Sequence, residues 1–246
     1  MISFLICAFN EEKEIESTFE SIQKALLATN IIDYEVVIVN DGSLDETEKQ
    51  VQKILNKDRN VIYLKNEKNL GYGNTLRKGL KNINKDKFLI VPGDNDLPAD
   101  TIIYALNNMN KADMIMFFPV NTDNRSKIRN VISILYRLVY LIFFDCYVNY
   151  INAPCIYPTK NVKSLNLKSN RFSIISEITT KLLHSDITYC ELPAFFQKSL
   201  RKRKTVTFQN LKDVIISFIK IFFEMKVESK NKFKKKTTKL NIYNFN

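Results

Sequence analysis

Apolar residues follow two rhythms over the first half of the chain. Short continuous runs at Ile2–Ala8, Glu35–Val39, Val61–Leu64, Phe88–Val91 and Met114–Phe118 have the length of buried strands. Between them the period lengthens. Ile15, Phe19, Ile22 and Leu26 share one helical face within Glu12–Ala28. After the second run, Ser43 or Asp45 stands where a helix cap belongs, with Asp45, Glu46 and Glu48 in the first turn, where the helix dipole favours acids. Gly71–Ile83 reads as a loop and helix, and Asp100–Met109 as a helix. Strands alternating with helices predict βαβ units and a mainly parallel α/β sheet. Right-handed crossovers then bring the carboxyl ends of the strands to one edge.

The second half carries two longer apolar segments. Val131–Phe144 is interrupted only by Ser133 and Arg137 and is preceded by Arg125, Lys127 and Arg129. It is too short and too charged to span a bilayer, which leaves a core helix or an interfacial one. Leu211–Met225 places Leu211, Val214, Ile215, Phe218, Phe222 and Met225 at helical spacing, and Ile216, Ile219, Ile221 and Phe223 widen the stripe beyond one face. The lysine-dense stretch 226–239 follows. A wide apolar helix joined to a polybasic run predicts attachment to an anionic membrane surface, the competing reading being a docked helix with a solvated tail.

Composition sharpens this division. Of the net charge of +11, residues 1–200 contribute +1 and residues 201–246 contribute +10. A catalytic-size domain is expected over 1–204, with a first half at 1–120 and a second at 121–204, followed by an amphipathic helix and basic tail at 205–246. Nucleic acid is not an expected partner, because the main domain is nearly neutral and lacks a basic-aromatic recognition motif. With 45% apolar residues in 246, a real core forms and global disorder is excluded. Cys7, Cys146, Cys155 and Cys190 have no paired spacing, which argues against zinc or a disulfide framework and fits a reducing compartment. His184 is the only histidine, so a histidine metal cluster is excluded; its context reads as a helix end. The first residues lack the basic start and cleavage site of a secretory leader. The expected location is cytoplasmic, peripheral on the inner face of the membrane.

The chemistry sits at the strand ends. Phe9-Asn10-Glu11-Glu12, Asn40-Asp41-Gly42-Ser43, Asn69-Leu70-Gly71-Tyr72-Gly73 and Pro92-Gly93-Asp94-Asn95-Asp96 follow the first four strands, and the topology brings all four loops to one edge. Ligands of open α/β sheets bind there. Asp94 and Asp96 offer two hard oxygen ligands one residue apart, suited to Mg²⁺ or Mn²⁺ carrying a diphosphate. A plain Asx turn before Pro98 is the other reading. Gly71 and Gly73 would let backbone N–H groups approach an anion at a helix N-terminus.

Together these four loops, with Val39–Thr47 in full, resemble a family 2 glycosyltransferase of the GT-A fold. A weaker likeness continues through Asn152-Ala153-Pro154, Phe172, Ser176-Glu177-Ile178 and Glu191-Leu192-Pro193 to Lys198. The resemblance implies a Rossmann-like, mainly parallel sheet flanked by helices, with the amphipathic basic segment appended. It implies a nucleoside diphosphate sugar donor, UDP- or GDP-linked, and inversion at the anomeric carbon by single displacement. Phe9, Asn10, Glu12 and Asp41 would hold the nucleoside, Asp41 near the base. Asp94 would face the ribose or metal, Asp96 the metal, and residues around Gly71 and Gly73 would line the donor pocket. Glu177 matches the position of a general base for a hydroxyl acceptor; a polyprenyl phosphate acceptor needs none. Arg201 and Arg203 would grip phosphate. The branch most similar uses lipid-linked acceptors in cell-surface glycan synthesis, with saccharide acceptors as the alternative. Asn40 departs from the usual acid of the second loop, which keeps open an inactive nucleotide-sugar-binding protein. Leu97-Pro98-Ala99-Asp100 lacks the Gln and second Pro of the polyprenyl branch.

Overall fold

The computed structural model of the protein describes residues 1–121, 127–197, 208–229 and 231–241. In chain order the elements are β1 (Ile2–Ala8), α1 (Ile15–Thr29), β2 (Tyr34–Asn40), α2 (Thr47–Lys57), β3 (Val61–Lys65), α3 (Tyr72–Leu80), β4 (Lys87–Pro92), α4 (Ala99–Asn108), β5 (Met114–Pro119), α5 (Lys127–Phe144), β6 (Cys155–Pro158), α6 (Thr159–Lys163), α7 (Ser173–Leu182), β7 (Thr188–Ala194), α8 (Phe208–Phe223) and β8 (Thr238–Lys239). The strands form one sheet in the order β3-β2-β1-β4-β6-β5-β7-β8. Every ladder is parallel except those of β6, which runs against both β4 and β5.

Alternation along the strands divides the core into two layers. Phe4, Ile6, Val36 and Ile38 face one side, where α1, α2 and α4 bring Phe19, Val51 and Ile102. Leu5, Val37 and Val39 face the other, against Leu76 of α3, Tyr140 of α5, Ile178 of α7 and Ile221 of α8. Both faces of the central strands are therefore apolar, which is why those runs are continuous rather than alternating. The chain crosses from one side of β1 to the other between β3 and β4, and this reversal opens the crevice at the carboxyl ends of β1 and β4.

Two starts differ from expectation for local reasons. α1 begins at Ile15 because the Glu11 carbonyl first closes a turn, accepting from the N–H groups of Glu14 and Ile15 at 3.0 and 2.9 Å. α2 begins at Thr47, whose N–H donates to Asp45 at 3.1 Å. Ser43 does not cap it; its hydroxyl accepts from Asn10 N–H at 2.9 Å instead.

The segment expected as an appendage is built into the same body. β8 extends the sheet beside β7, and Phe233 is buried in the second layer. α8 lies against α5: the rings of Phe143 and Phe144 meet those of Phe218 and Phe222 edge-on, with centroids 5.3 to 6.2 Å apart. Among the described residues no helix is long and apolar enough to cross a membrane.

Candidate active site

The first two loops are laced together by side chains from each. Asn10 has a left-handed backbone (φ 55°), and its side-chain Oδ1 accepts from Leu44 N–H at 2.8 Å. Glu12 accepts from Glu46 N–H at 3.0 Å, while Glu12 N–H donates to Asp45 at 3.2 Å. Glu11 N–H donates to the Thr47 hydroxyl at 2.7 Å. Phe9 follows directly on β1 and is half-buried. Asn40, fully buried, donates to Tyr63 Oη and accepts from Ser43 N–H, so it shapes the β2 turn.

Asp41 binds the second loop to the third. It is buried; Oδ1 accepts from Asn66 Nδ2 and Leu70 N–H, both at 2.9 Å, and Oδ2 accepts from Gly71 N–H at 3.0 Å. Three donors on one buried carboxylate fix the path of the loop that precedes α3. Burial, and next to it the Asp41 charge, push the Cys7 thiol far up, so it stays protonated. The glycine expectation needs correction. Gly71 N–H is committed to Asp41, and Gly73 N–H donates to the Asn170 carbonyl at 2.9 Å. Neither is offered to an anion. Gly73 is required for a different reason: a Cβ there would lie 2.5 Å from Asn170 C and 2.6 Å from Ser169 O.

The 167–171 loop reached by Gly73 is also held by Arg77, which the sequence reading did not single out. Its guanidinium donates to Leu167 O at 3.3 Å, to Asn170 Oδ1 at 2.6 Å and to Ser169 O. Tyr72 stacks on Phe172 beside it, centroids 5.5 Å apart. Arg77 lies in a polar stretch of α3, so only its contact across 90 residues reveals its part.

At the end of β4, Asp94 is buried and Asp96 half-buried, with Asn95 between them in the left-handed conformation (φ 52°). The turn is held from both sides. Thr18 of α1 donates to Gly93 O at 3.2 Å and Ser21 donates to Asn95 Oδ1 at 3.1 Å. Gln197 N–H donates to Asp96 O at 2.9 Å. Leu97 anchors the loop in the first core layer. The donor set is the test of the expected divalent ion. Two carboxylates with a substrate diphosphate and water make a suitable Mg²⁺ or Mn²⁺ site, whereas a site of protein ligands alone needs more. Among the described residues no group of three or more His, Cys, Asp or Glu is placed to hold a metal. Asp94 and Asp96 offer the oxygen donors that such a diphosphate-borne ion takes.

Glu177 is placed otherwise than expected. It is fully buried on α7; Oε1 accepts from Lys168 N–H at 2.9 Å and from Lys181 Nζ at 2.7 Å, and Oε2 accepts from Ser169 N–H at 2.8 Å. A carboxylate with both oxygens engaged and no exposed surface has no open route to an acceptor hydroxyl. It holds the 168–169 turn instead. Arg201 and Arg203 lie outside the described residues. His184 bears out the helix-end reading: Nδ1 lies 2.9 Å from the Thr180 carbonyl, and burial holds the imidazole below its usual value.

Residues 3–159 match the model of Glycosyl transferase family 2. The chain belongs to this family. Family 2 membership covers the sheet from β1 to β6 and all four strand-end loops. The chain is 30% identical over 107 residues to poly-β-1,6-N-acetyl-D-glucosamine synthase of Staphylococcus aureus, 44% of this chain and 25% of that protein. It thus spans about a quarter of the length of these staphylococcal relatives. Among solved structures, glucosyl-3-phosphoglycerate synthase from Mycobacterium tuberculosis, in complex with Mn²⁺, UDP and phosphoglyceric acid, superposes with a TM-score of 0.67 at 13% identity, covering 90% of this chain and 78% of that one. Staphylococcus aureus TarS in complex with UDP-GlcNAc gives 0.65 at 17% identity, covering 94% and 69%. These likenesses establish the GT-A-like fold of this family 2 chain.

Proposed function

We propose that the protein transfers a sugar, with inversion, from a UDP-sugar to a lipid-linked acceptor at the cytoplasmic face of a membrane, in cell-surface glycan synthesis. The observation that carries this reading is the meeting of four polar loops, the last bearing Asp94 and Asp96, at the crevice between β1 and β4 of a family 2 chain. Ligands of doubly wound sheets bind at such reversals. UDP as the nucleotide is supported by the UDP and UDP-GlcNAc bound in the two structural relatives.

In this reading Phe9, Asn10 and Glu12 wall the nucleoside side of the crevice. Asp41 acts by holding the Leu70–Gly71 loop at the pocket rim rather than by reaching the base with a free oxygen. Asp94 and Asp96 hold the divalent ion, and Arg201 and Arg203 take phosphate. When bound, the ion neutralises the departing diphosphate. The loops supply position, which with charge stabilisation accounts for most of such a rate enhancement. A phosphate acceptor is already anionic and asks for no general base, which accords with Glu177 being engaged elsewhere.

A saccharide acceptor is the second reading, favoured by the relative that is named a polysaccharide synthase. The test is a screen of UDP-sugars with Mg²⁺ or Mn²⁺, scoring transfer to polyprenyl phosphate and to oligosaccharides separately. Product on the lipid supports the first reading, and product on sugar alone replaces it with the second. No binding of any UDP-sugar removes both.

A further inference from the structure

α5 is apolar on its outer face as well as on its buried one, which carries Tyr140 and Phe144. Ile128, Leu135 and Ile142 are 72, 56 and 71% exposed, and Val131, Ile132, Leu138, Val139 and Phe143 also lie open. Meanwhile Tyr136 turns inward, bonded to Tyr140 and to Ser176 of α7 at 3.1 and 2.7 Å. A helix that faces water carries polar residues on its outer face. Beside it α8 exposes Ile215, Ile219 and Phe223. The two outer faces adjoin, because the helices pack through their aromatic rings. Contiguous apolar surface of this kind marks an interaction site.

The charges on α8 and the turn after it select the partner. The acids there are already paired: Asp213 with Arg171 at 2.7 Å, and buried Glu224 with Lys181 and Lys168 at 3.0 Å each. Glu228 also leans to Lys168, at 3.4 Å. Lys212 and Lys220 are exposed, and Arg137 is half-exposed on α5. The apolar face is thus bordered by exposed lysines. A second copy of the chain would bring the same positive border to itself, and like charges opposed across an interface disfavour association. Anionic headgroups above acyl chains complement both features.

We propose that α5 and α8 form a single two-helix surface that lies in the headgroup region of an anionic leaflet, with α5 as its main element. This deepens the lipid-linked acceptor reading, because it would hold the crevice beside its substrate. It also moves the anchor away from the lysine-rich tail, part of which is paired to β7.

The chain has no tryptophan, so a single introduced one reports its own surroundings. In Ile142→Trp, vesicles of phosphatidylcholine with about one-third phosphatidylglycerol, carrying brominated acyl chains, should quench the indole. Tyr104→Trp, on α4 across the sheet, should stay unquenched. Leu135→Asp with Ile142→Asp should lower vesicle partitioning by about tenfold or more while leaving the melting transition and UDP-sugar binding in place. Lys212→Glu with Lys220→Glu should weaken binding to anionic vesicles only, most at low salt. An unquenched indole in the Ile142→Trp variant, equal quenching in both tryptophan variants, or full partitioning of the double aspartate variant would overturn the proposal. So would a wild-type dimer that ignores vesicles and dissociates in that variant. Vesicle binding without sugar transfer to lipid would leave the surface standing and remove only the acceptor.

Discussion

Asp41 and Asp96 both follow strands, yet their surroundings assign them different parts. Asp41 spends both oxygens on the next loop, so Asp41→Asn loses an acceptor and sets an amide N–H₂ against backbone donors. The expected cost is about 1–3 kcal/mol of stability, with weaker UDP-sugar binding, read by urea denaturation and calorimetry. Asp96→Ala should act on turnover alone, lowering kcat by about 10²–10³ with an unchanged melting curve. Equal loss of stability in both variants would show Asp96 to be structural. That Asp94 and Asp96 stand in a loop at the end of β4 was legible in the sequence, because they close an apolar run before a proline. Glu177 was not legible, since Glu177 and Lys181 four residues apart look like an ordinary surface pair on a helix. Only α8, whose end leads into Glu224, encloses that pair.

At the scale of elements, this enclosed cluster joins α7, the end of α8 and the 168–171 loop. Lys181 is fully buried between Glu177 and Glu224 at 2.7 and 3.0 Å, and it donates to the Asn166 carbonyl at 2.5 Å. Lys181→Met removes the shared cation and leaves two carboxylates together. The expected loss is about 3–5 kcal/mol, seen as a lower denaturation midpoint. Burial alone would raise the Glu224 carboxyl, but bonds from Lys181 and Lys168 outweigh it and hold it below its ordinary value. A carboxylate depressed in the folded state contributes stability above its unfolded value and loses it as pH falls through the folded one. Wild-type stability should therefore decline below about pH 4.5, and Glu224→Gln should flatten that part of the decline. Hydrogen exchange should place the acid-induced opening in α8 and the 168–171 loop. The elements that were hard to foresee share a cause. β6 is four residues long, runs antiparallel, and inserts between two strands that precede it in the chain. No local periodicity encodes that insertion, whereas β1 to β4 follow from repeated βαβ spacing.

For the whole molecule, composition and structure give different accounts of residues 226–241. By charge they form a solvated polybasic tail, whereas in the fold they close the sheet. Thr238 N–H donates to Ile187 O at 3.1 Å, Leu240 N–H donates to Tyr189 O at 2.7 Å, and Lys239 pairs with Glu191 at 2.5 Å. Phe233 is buried beneath them. A chain stopped after Ser229 would therefore uncover the edge of β7, whose free N–H and C=O groups invite another strand. Such a chain should scatter light at concentrations where the full chain stays clear, and its melting point should fall. At low protein concentration and near-physiological salt, its partitioning to anionic vesicles should fall by less than that of the double aspartate variant. The six lysines lost with the removed segment, Lys235 and Lys239 leaving Asp186 and Glu191 unpaired, weaken only the long-range attraction to the leaflet. Charges held beyond about 8 Å from the headgroups are screened, while the apolar faces of α5 and α8 are kept. A drop larger than that of the double aspartate variant, in a chain that still melts cooperatively, would return the anchor to the tail.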